Sequence, residues 1–403
     1  MSAAEHLTTA GLGATHLPYG SYSTAAGVPK LGVRLGDHVL DAAALLRRAG
    51  AAPDDIAVTD TANLDALLAR DRAAWDRVHA GLVHAVSDPA AAESIVAEAV
   101  PLTEVTLHLP FTVADYVDFY GNEFHASNVG RIFRPGQPPL TPNWKHLPIG
   151  YHGRAGTIVP SGTEVPRPRG LRPEPDDPPT FGSSRRLDIE AEVGFVLGSP
   201  APQGQIPLTA AADHIFGLVL TNDWSARDIQ AFEYVPLGPF LGKSFATSIA
   251  TWVTPLACLD HARIAPPQRD TPLADYLDDS AAPPWAFDIV IEIVLNGEVV
   301  SRAPYGTTYW TAAQMLSHMT VNGATLRPGD FFASGTVSGP ERGQRGCFLE
   351  ITWGGAEPLT LADGTDITFL RDGDEVTLRG KASGPDGGLL ALGECTGRVV
   401  SAR

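Results

Sequence analysis

The sequence predicts a mixed β/α+β, mainly β protein, with a small N-terminal domain over 1–110 and a larger domain over 111–403. Three observations carry this. The chain holds 41 Gly and 34 Pro in 403 residues, a punctuation that favours turns and short strands. From Leu107 onward it reads as strands and loops. Before that, Ala- and Leu-rich stretches carry apolar residues at helix spacing.

In chain order, Pro29 to Asp41 reads as two short strands around the turn Gly36-Asp37. Asp41 to Ala52 and Asp65 to Val86 read as helices, and nothing in this first part concentrates catalytic residue types. Pro166 to Pro179, rich in Pro and Arg, reads as an irregular loop. Ile289 to Leu295, then Asn296-Gly297, then Glu298 to Val300 spells a hairpin with a favoured two-residue turn. Trp310 to Met319 is the one clear helix of the second part, because Ala313, Leu316 and Met319 fall at helical spacing. Asp363-Gly364 and Asp372-Gly373-Asp374 mark further turns. No internal repeat is visible.

Composition narrows the function. A net charge of −17 disfavours nucleic acid and anionic membrane as partners. No apolar run approaches the length of a membrane span. Met1 to Tyr19 lacks a basic region followed by an apolar core, so a cytoplasmic location is expected. Cys258, Cys347 and Cys395 are odd in number and far apart, which argues against a disulfide framework and a structural zinc site. Neither G-x-G-x-x-G nor G-x-x-x-x-G-K-[ST] occurs, so nucleotide binding has no support.

The segment Leu187 to Val196 is the most informative. Read as one strand, it places Asp188, Glu190 and Glu192 on one face and Ile189, Ala191 and Val193 on the other. Neighbouring glutamates running into an apolar stretch need a compensating positive charge, or one of them must hold a proton. A hard divalent cation such as Mg²⁺ or Ca²⁺ supplies that charge through carboxylate oxygens. A solvated strand face is the plain alternative. Three other segments concentrate reactive types: Asp115 to Tyr120 with His125, Asn128 and Arg134; Asn222 to Gln230; and Gly238 to Thr247. By residue type alone, Asp223 reads as a helix cap and Arg227 with Asp228 as a surface pair. Lys243 lies among Gly242, Ser244, Phe240 and Phe245, where a buried lysine needs a partner.

Several words, in this order, resemble the fumarylacetoacetate hydrolase family: Asp118-Phe119-Tyr120 with His125 to Gly130, Pro142-Asn143-Trp144, His146 to Arg154, Asn222 to Gln230, Tyr234 to Phe245, Arg327 to Asp330, and Ala333 to Glu341. The Tyr151-His152-Gly153-Arg154 and Glu233 to Phe240 words separate this family from the wider superfamily. The resemblance implies an SH3-like N-terminal domain, a mixed β-roll C-terminal catalytic domain, and a homodimer. It implies metal-dependent hydrolysis of the C–C bond of a small diketo dicarboxylate, fumarylacetoacetate, to fumarate and acetoacetate, at the end of tyrosine and phenylalanine breakdown.

Carried over by position, the metal ligands are Asp118, Glu190, Glu192 and Asp223, with Lys243 and Thr247 beside them and Mg²⁺ or Ca²⁺ as the ion. His125 is the general base, oriented by Glu350. Tyr120, Arg134, Gln230, Tyr234 and Thr336 hold the substrate, Arg134 gripping a carboxylate end. Lys243 and Gln230 stabilise the tetrahedral alkoxide. One departure is visible: Ala246 stands where the family has glycine, which requires a backbone there without positive φ. A related hydrolase or decarboxylase of acylpyruvates or other 3-oxo acids shares the same metal site, and a non-catalytic metal-binding protein leaves the convergence of His, Lys, Arg and Gln unexplained.

Overall fold

The computed structural model describes residues 1–25, 27–199 and 204–403. The first hundred residues build a five-stranded antiparallel sheet, in the order Val100–Pro101, His38–Asp41, Lys30–Leu35, Tyr19–Thr24, Val105–His108. The expected strand pair thus forms around Gly36, whose φ is +58° and whose α-hydrogen lies where a Cβ would meet the Leu7 carbonyl oxygen at 1.9 Å. The helix expected from Asp41 is Ala42–Arg48, with the Asp41 carboxylate accepting from the Ala44 N–H; a separate turn, Pro53–Ala57, follows. The helix expected over 65–86 divides into Asp65–Leu68 and Arg72–Ser87. Asp71 starts the second piece by accepting from the Ala74 N–H.

The rest of the chain is organised on two larger sheets. An eight-stranded mixed sheet runs Gly150–His152, Asp115–Phe119, Asp330–Ala333, Ala191–Leu197, Ile215–Asp223, Thr247–Ile249, Ile158–Pro160, with Thr254–Pro255 also paired to Ile215–Asp223. Asp115–Phe119 pairs in parallel with Asp330–Ala333, and Thr247–Ile249 with Ile158–Pro160; the other pairings are antiparallel. A five-stranded sheet holds the expected hairpin, Ile289–Leu295 with Glu298–Pro304, followed by Glu375–Ser383, Leu389–Val400 and Glu164–Pro166. Its turn residues Asn296 and Gly297 both have positive φ, as the tight hairpin turn requires. The apolar faces meet in a core that includes Phe195 stacked on Phe332 at 5.1 Å and the fully buried Trp144, Trp224 and Trp310. No helix among the described residues is long and apolar enough to cross a membrane.

Three local readings are corrected. The helix expected at Trp310 runs Ala312–Thr320 behind a Thr311 cap, but it is not alone: Glu123–Phe133 and Arg227–Glu233 are also helical. The loop expected over 166–179 contains a strand, Arg169–Arg172, paired with Thr180–Ser183. The continuous strand expected over 187–196 is broken into Leu187–Asp188 and Ala191–Leu197. The break has a cause. The Asp188 carboxylate is drawn away to the N–H groups of Phe348 and Leu349, and Leu187–Asp188 pairs with Ser225–Ala226 instead of the main sheet.

Candidate active site

The main sheet brings carboxylates together at one end. Asp118 lies near the end of its strand, cross-strand from Tyr151. Glu192 is the second residue of Ala191–Leu197, and Asp223 closes Ile215–Asp223, cross-strand from Thr247. Glu190 enters from the break in the acidic segment. One carboxylate oxygen from each of Asp118, Glu190, Glu192 and Asp223 lies within 4.8 Å of the others, and all four residues are buried.

Two cations answer this charge. Lys243 Nζ donates to Asp223 Oδ2 at 2.6 Å and to Glu190 Oε2 at 2.5 Å. Arg227 Nη1 donates to Glu190 Oε1 at 2.7 Å. Thr247 Oγ1 donates to Asp223 Oδ1 at 3.0 Å, and Tyr151 Oη to Asp118 Oδ2 at 3.0 Å. Both oxygens of Glu192 and Oδ1 of Asp118 are buried with no hydrogen-bond partner. Burial, with the neighbouring carboxylates, pushes Asp118 and Glu192 well above the usual carboxylate range. Burial alone would raise Glu190 too, but Lys243 and Arg227 outweigh it and hold Glu190 below its ordinary value. Orphaned, oxygen-only and over-charged, this donor set fits a hard divalent cation and suits zinc poorly.

Beside the cluster stands a histidine–carboxylate pair. His125 sits in the first turn of Glu123–Phe133, its N–H donating to the Asn122 cap at 3.0 Å. Its Nδ1 is 2.6 Å from Glu350 Oε2, and its Nε2 is 4.0 Å from Glu190 Oε1. Glu350 lies on the short helix Phe348–Ile351 and also accepts from Asn128 Nδ2 at 2.9 Å and Ser338 Oγ at 2.8 Å. Burial would raise Glu350, but His125 and these donors hold it below its ordinary value. With Nδ1 held by Glu350, Nε2 is the ring nitrogen that faces the cluster.

These groups face a cleft of about 420 Å³. Tyr120, His125, Arg134, Gln230, Tyr234, Lys243 and Thr336 all line it, among apolar Val129, Phe133, Ile149 and Leu237. Thr336 is presented by Gly335, whose φ is +76° and where a Cβ would meet the Phe119 carbonyl oxygen at 2.1 Å. Family models match nearly the whole chain: fumarylacetoacetase N-terminal over 15–110 and fumarylacetoacetate hydrolase C-terminal over 116–400.

The chain belongs to the fumarylacetoacetate hydrolase family. Fumarylacetoacetase of Rattus norvegicus is 42% identical over 96% of both chains. That of Arabidopsis thaliana is 41% identical over 96% of this chain and 94% of its own. Among solved structures, a fumarylacetoacetate hydrolase from Exiguobacterium antarcticum shares the fold with a TM-score of 0.56, at 15% identity, over 96% of this chain and 100% of that one.

Every residue expected at the site on the family resemblance is gathered there. Glu192, Asp223, Glu350 and Thr247 lie behind the cleft wall: Glu350 reaches it through His125, Asp223 through Lys243, and Thr247 bonds Asp223. Ala246 does not have positive φ, so its methyl leaves Thr247 in place. Two readings made from residue type fail. Asp223 is no helix cap, since it ends a strand inside the carboxylate cluster. Arg227 is no surface residue: it is 3% exposed, and its assumed mate Asp228 turns away to Ser184 and Arg185. Asp188 leaves the acidic face and takes Arg227 Nε at 2.9 Å. Arg227 and Tyr151 are the residues sequence reasoning missed. Arg227 lines the cleft with Nη2 buried and unpartnered. Its signal was the need of a buried acidic segment for more than one cation.

Proposed function

We propose that this cleft hydrolyses the C–C bond of fumarylacetoacetate, giving fumarate and acetoacetate. The observation that carries the reading is the His125–Glu350 pair, whose free Nε2 stands 4.0 Å from the carboxylate cluster in a cleft that also holds Arg134. Asp118, Glu190, Glu192 and Asp223 would hold Mg²⁺ or Ca²⁺. That ion, when bound, supplies Lewis-acid polarisation of a 1,3-dicarbonyl.

The chain's own residues do the rest. Arg134, with Tyr120, Tyr234 and Thr336, receives the distal carboxylate. His125 Nε2 takes a proton from water, and the resulting hydroxide adds to the fumaroyl carbonyl carbon. Lys243, Gln230 and the free Nη2 of Arg227 donate to the tetrahedral alkoxide. As the carbonyl re-forms, the C–C bond breaks and its electron pair leaves as the acetoacetate enolate. The proton held by His125 returns to that carbon. One water is consumed and no side chain is covalently modified.

The same reading includes a homodimer, a cytoplasmic location, and a division into an SH3-like domain over 1–110 and a β-roll catalytic domain over 111–403. The test is hydrolysis of fumarylacetoacetate, followed by loss of its ultraviolet absorbance, with EDTA and then with Mg²⁺ or Ca²⁺ restored. Turnover that EDTA stops and metal restores is expected. Folded, metal-loaded protein that turns over acylpyruvates and leaves fumarylacetoacetate untouched would replace this reading.

A further inference from the structure

We infer that Asp188 is a positioning residue that ties the His125–Glu350 base to the carboxylate cluster. The inference rests on the reaction proposed above. Asp188 is fully buried and uses both oxygens. Oδ1 accepts from the N–H groups of Ile189 at 2.8 Å and Phe348 at 2.7 Å. Oδ2 accepts from the Leu349 N–H at 2.9 Å and from Arg227 Nε at 2.9 Å. Phe348 and Leu349 open the short helix whose next residue is Glu350. Arg227 in turn grips Glu190 and Gln230 through Nη1, at 2.7 and 3.1 Å.

One carboxylate therefore fixes two bodies at once. On one side it anchors the backbone that aims Glu350 at His125. On the other it orients the guanidinium that holds Glu190 and Gln230. The 4.0 Å gap between His125 Nε2 and Glu190 Oε1 is the distance these two arms set. Asparagine in place of Asp188 has one acceptor oxygen, and its amide N–H₂ faces donors only, so at least one arm is released.

The test compares parent and Asp188→Asn proteins loaded with Mg²⁺. The expected result is a kcat lowered by about 100-fold, the scale of a roughly 1 Å misplacement, with KM nearly unchanged. The low-field imidazole proton of the His125–Glu350 hydrogen bond, seen by NMR, should broaden or vanish. Thr254→Val serves as the control for general destabilisation. It strips His16 Nε2 of a buried partner at 3.0 Å, remote from the cleft, and should leave both the signal and kcat unchanged. Should Asp188→Asn not fold, Asp188→Asn/Arg227→Gln removes both members of the Asp188–Arg227 pair while Glu190 keeps Lys243; compared with Arg227→Gln alone, it should still lose the imidazole signal. Folded Asp188→Asn protein with the parent's signal and kcat would overturn the inference. Parent protein that shows the signal but does not turn over fumarylacetoacetate would sink the proposed reaction and leave the positioning test intact.

Discussion

Replacing Glu192 by Gln removes one charge from the cluster while keeping its shape, and its effect should depend wholly on whether metal is present. Both Glu192 oxygens are buried without a partner. Burial and the charges of Asp118, Glu190 and Asp223 push the carboxyl well above its ordinary 4.5. In metal-free protein the side chain is thus held toward its neutral form, and an amide is a near-equivalent. With metal bound, the same change removes an anionic ligand. A cation at a free concentration a thousandfold above its Kd stabilises the fold by about 4 kcal/mol. An unfolding entropy of about 2.1 cal/mol/K per residue, over 403 residues, comes to about 0.8 kcal/mol/K. The parent's Tm should therefore rise by about 5 °C on loading. Glu192→Gln should melt within about 2 °C of the parent in EDTA and rise by less than about 1 °C with metal. Differential scanning calorimetry, with Mg²⁺ and Ca²⁺ titrations, measures both numbers. A full metal-induced rise in Glu192→Gln would show that the cation binds elsewhere and refute the assignment.

Three further outcomes follow from the same geometry. Asp118 and Glu192 have raised folded-state pKa values, so their contribution to metal-free stability is fully present below their ordinary 3.8 and 4.5 and is lost as pH rises through the raised values. The cation needs them ionised, so the Tm gap between loaded and stripped protein should widen with rising pH; melting curves with a gap that is constant or narrowing would contradict this. His125→Ala should lower kcat by about 10²- to 10⁴-fold and leave Mg²⁺ affinity intact, whereas a parallel loss of affinity would mean that the pair supports the cluster instead of the chemistry. Arg134→Ala should raise KM by about 10- to 100-fold, the worth of a charged hydrogen-bonded contact, with a smaller effect on kcat; a substrate without the distal carboxylate should not feel the change.

What was legible in the sequence was what local patterning controls. The Asn296-Gly297 hairpin and the pair around Gly36 depend on turn residues and alternation, and they form where expected. The demand of the Glu190/Glu192 segment for positive charge was also legible, because it follows from two acids running into an apolar strand. What supplies that charge was not. Arg227 lies 37 residues from Glu190, and only the pairing of Leu187–Asp188 with Ser225–Ala226 brings it inside. The helix Glu123–Phe133 escaped because its polar residues point at the site: His125 and Asn128 serve Glu350 and so break the apolar periodicity. Gathering His125, Glu350 and Arg134 at one cleft needed the family resemblance, since residues 225 apart in sequence leave no local trace of contact.

The break in the acidic strand and the unpartnered Glu192 share one cause. A strand that ran unbroken from Leu187 to Val196 would set Asp188 beside Glu190 and Glu192, adding a further charge to a cluster already short of cations. Breaking at Ile189 sends Asp188 to backbone N–H groups and Arg227, where its charge is fully matched. Glu192 stays behind among the other carboxylates, with no cation or N–H group on either oxygen. The fold thus satisfies one acid of the segment completely and leaves another wholly unsatisfied. A stable folded state tolerates that arrangement only if the unsatisfied acid is neutral or an ion completes it. The Glu192→Gln melting experiment separates those two states, because only the second loses stability when the carboxylate is removed.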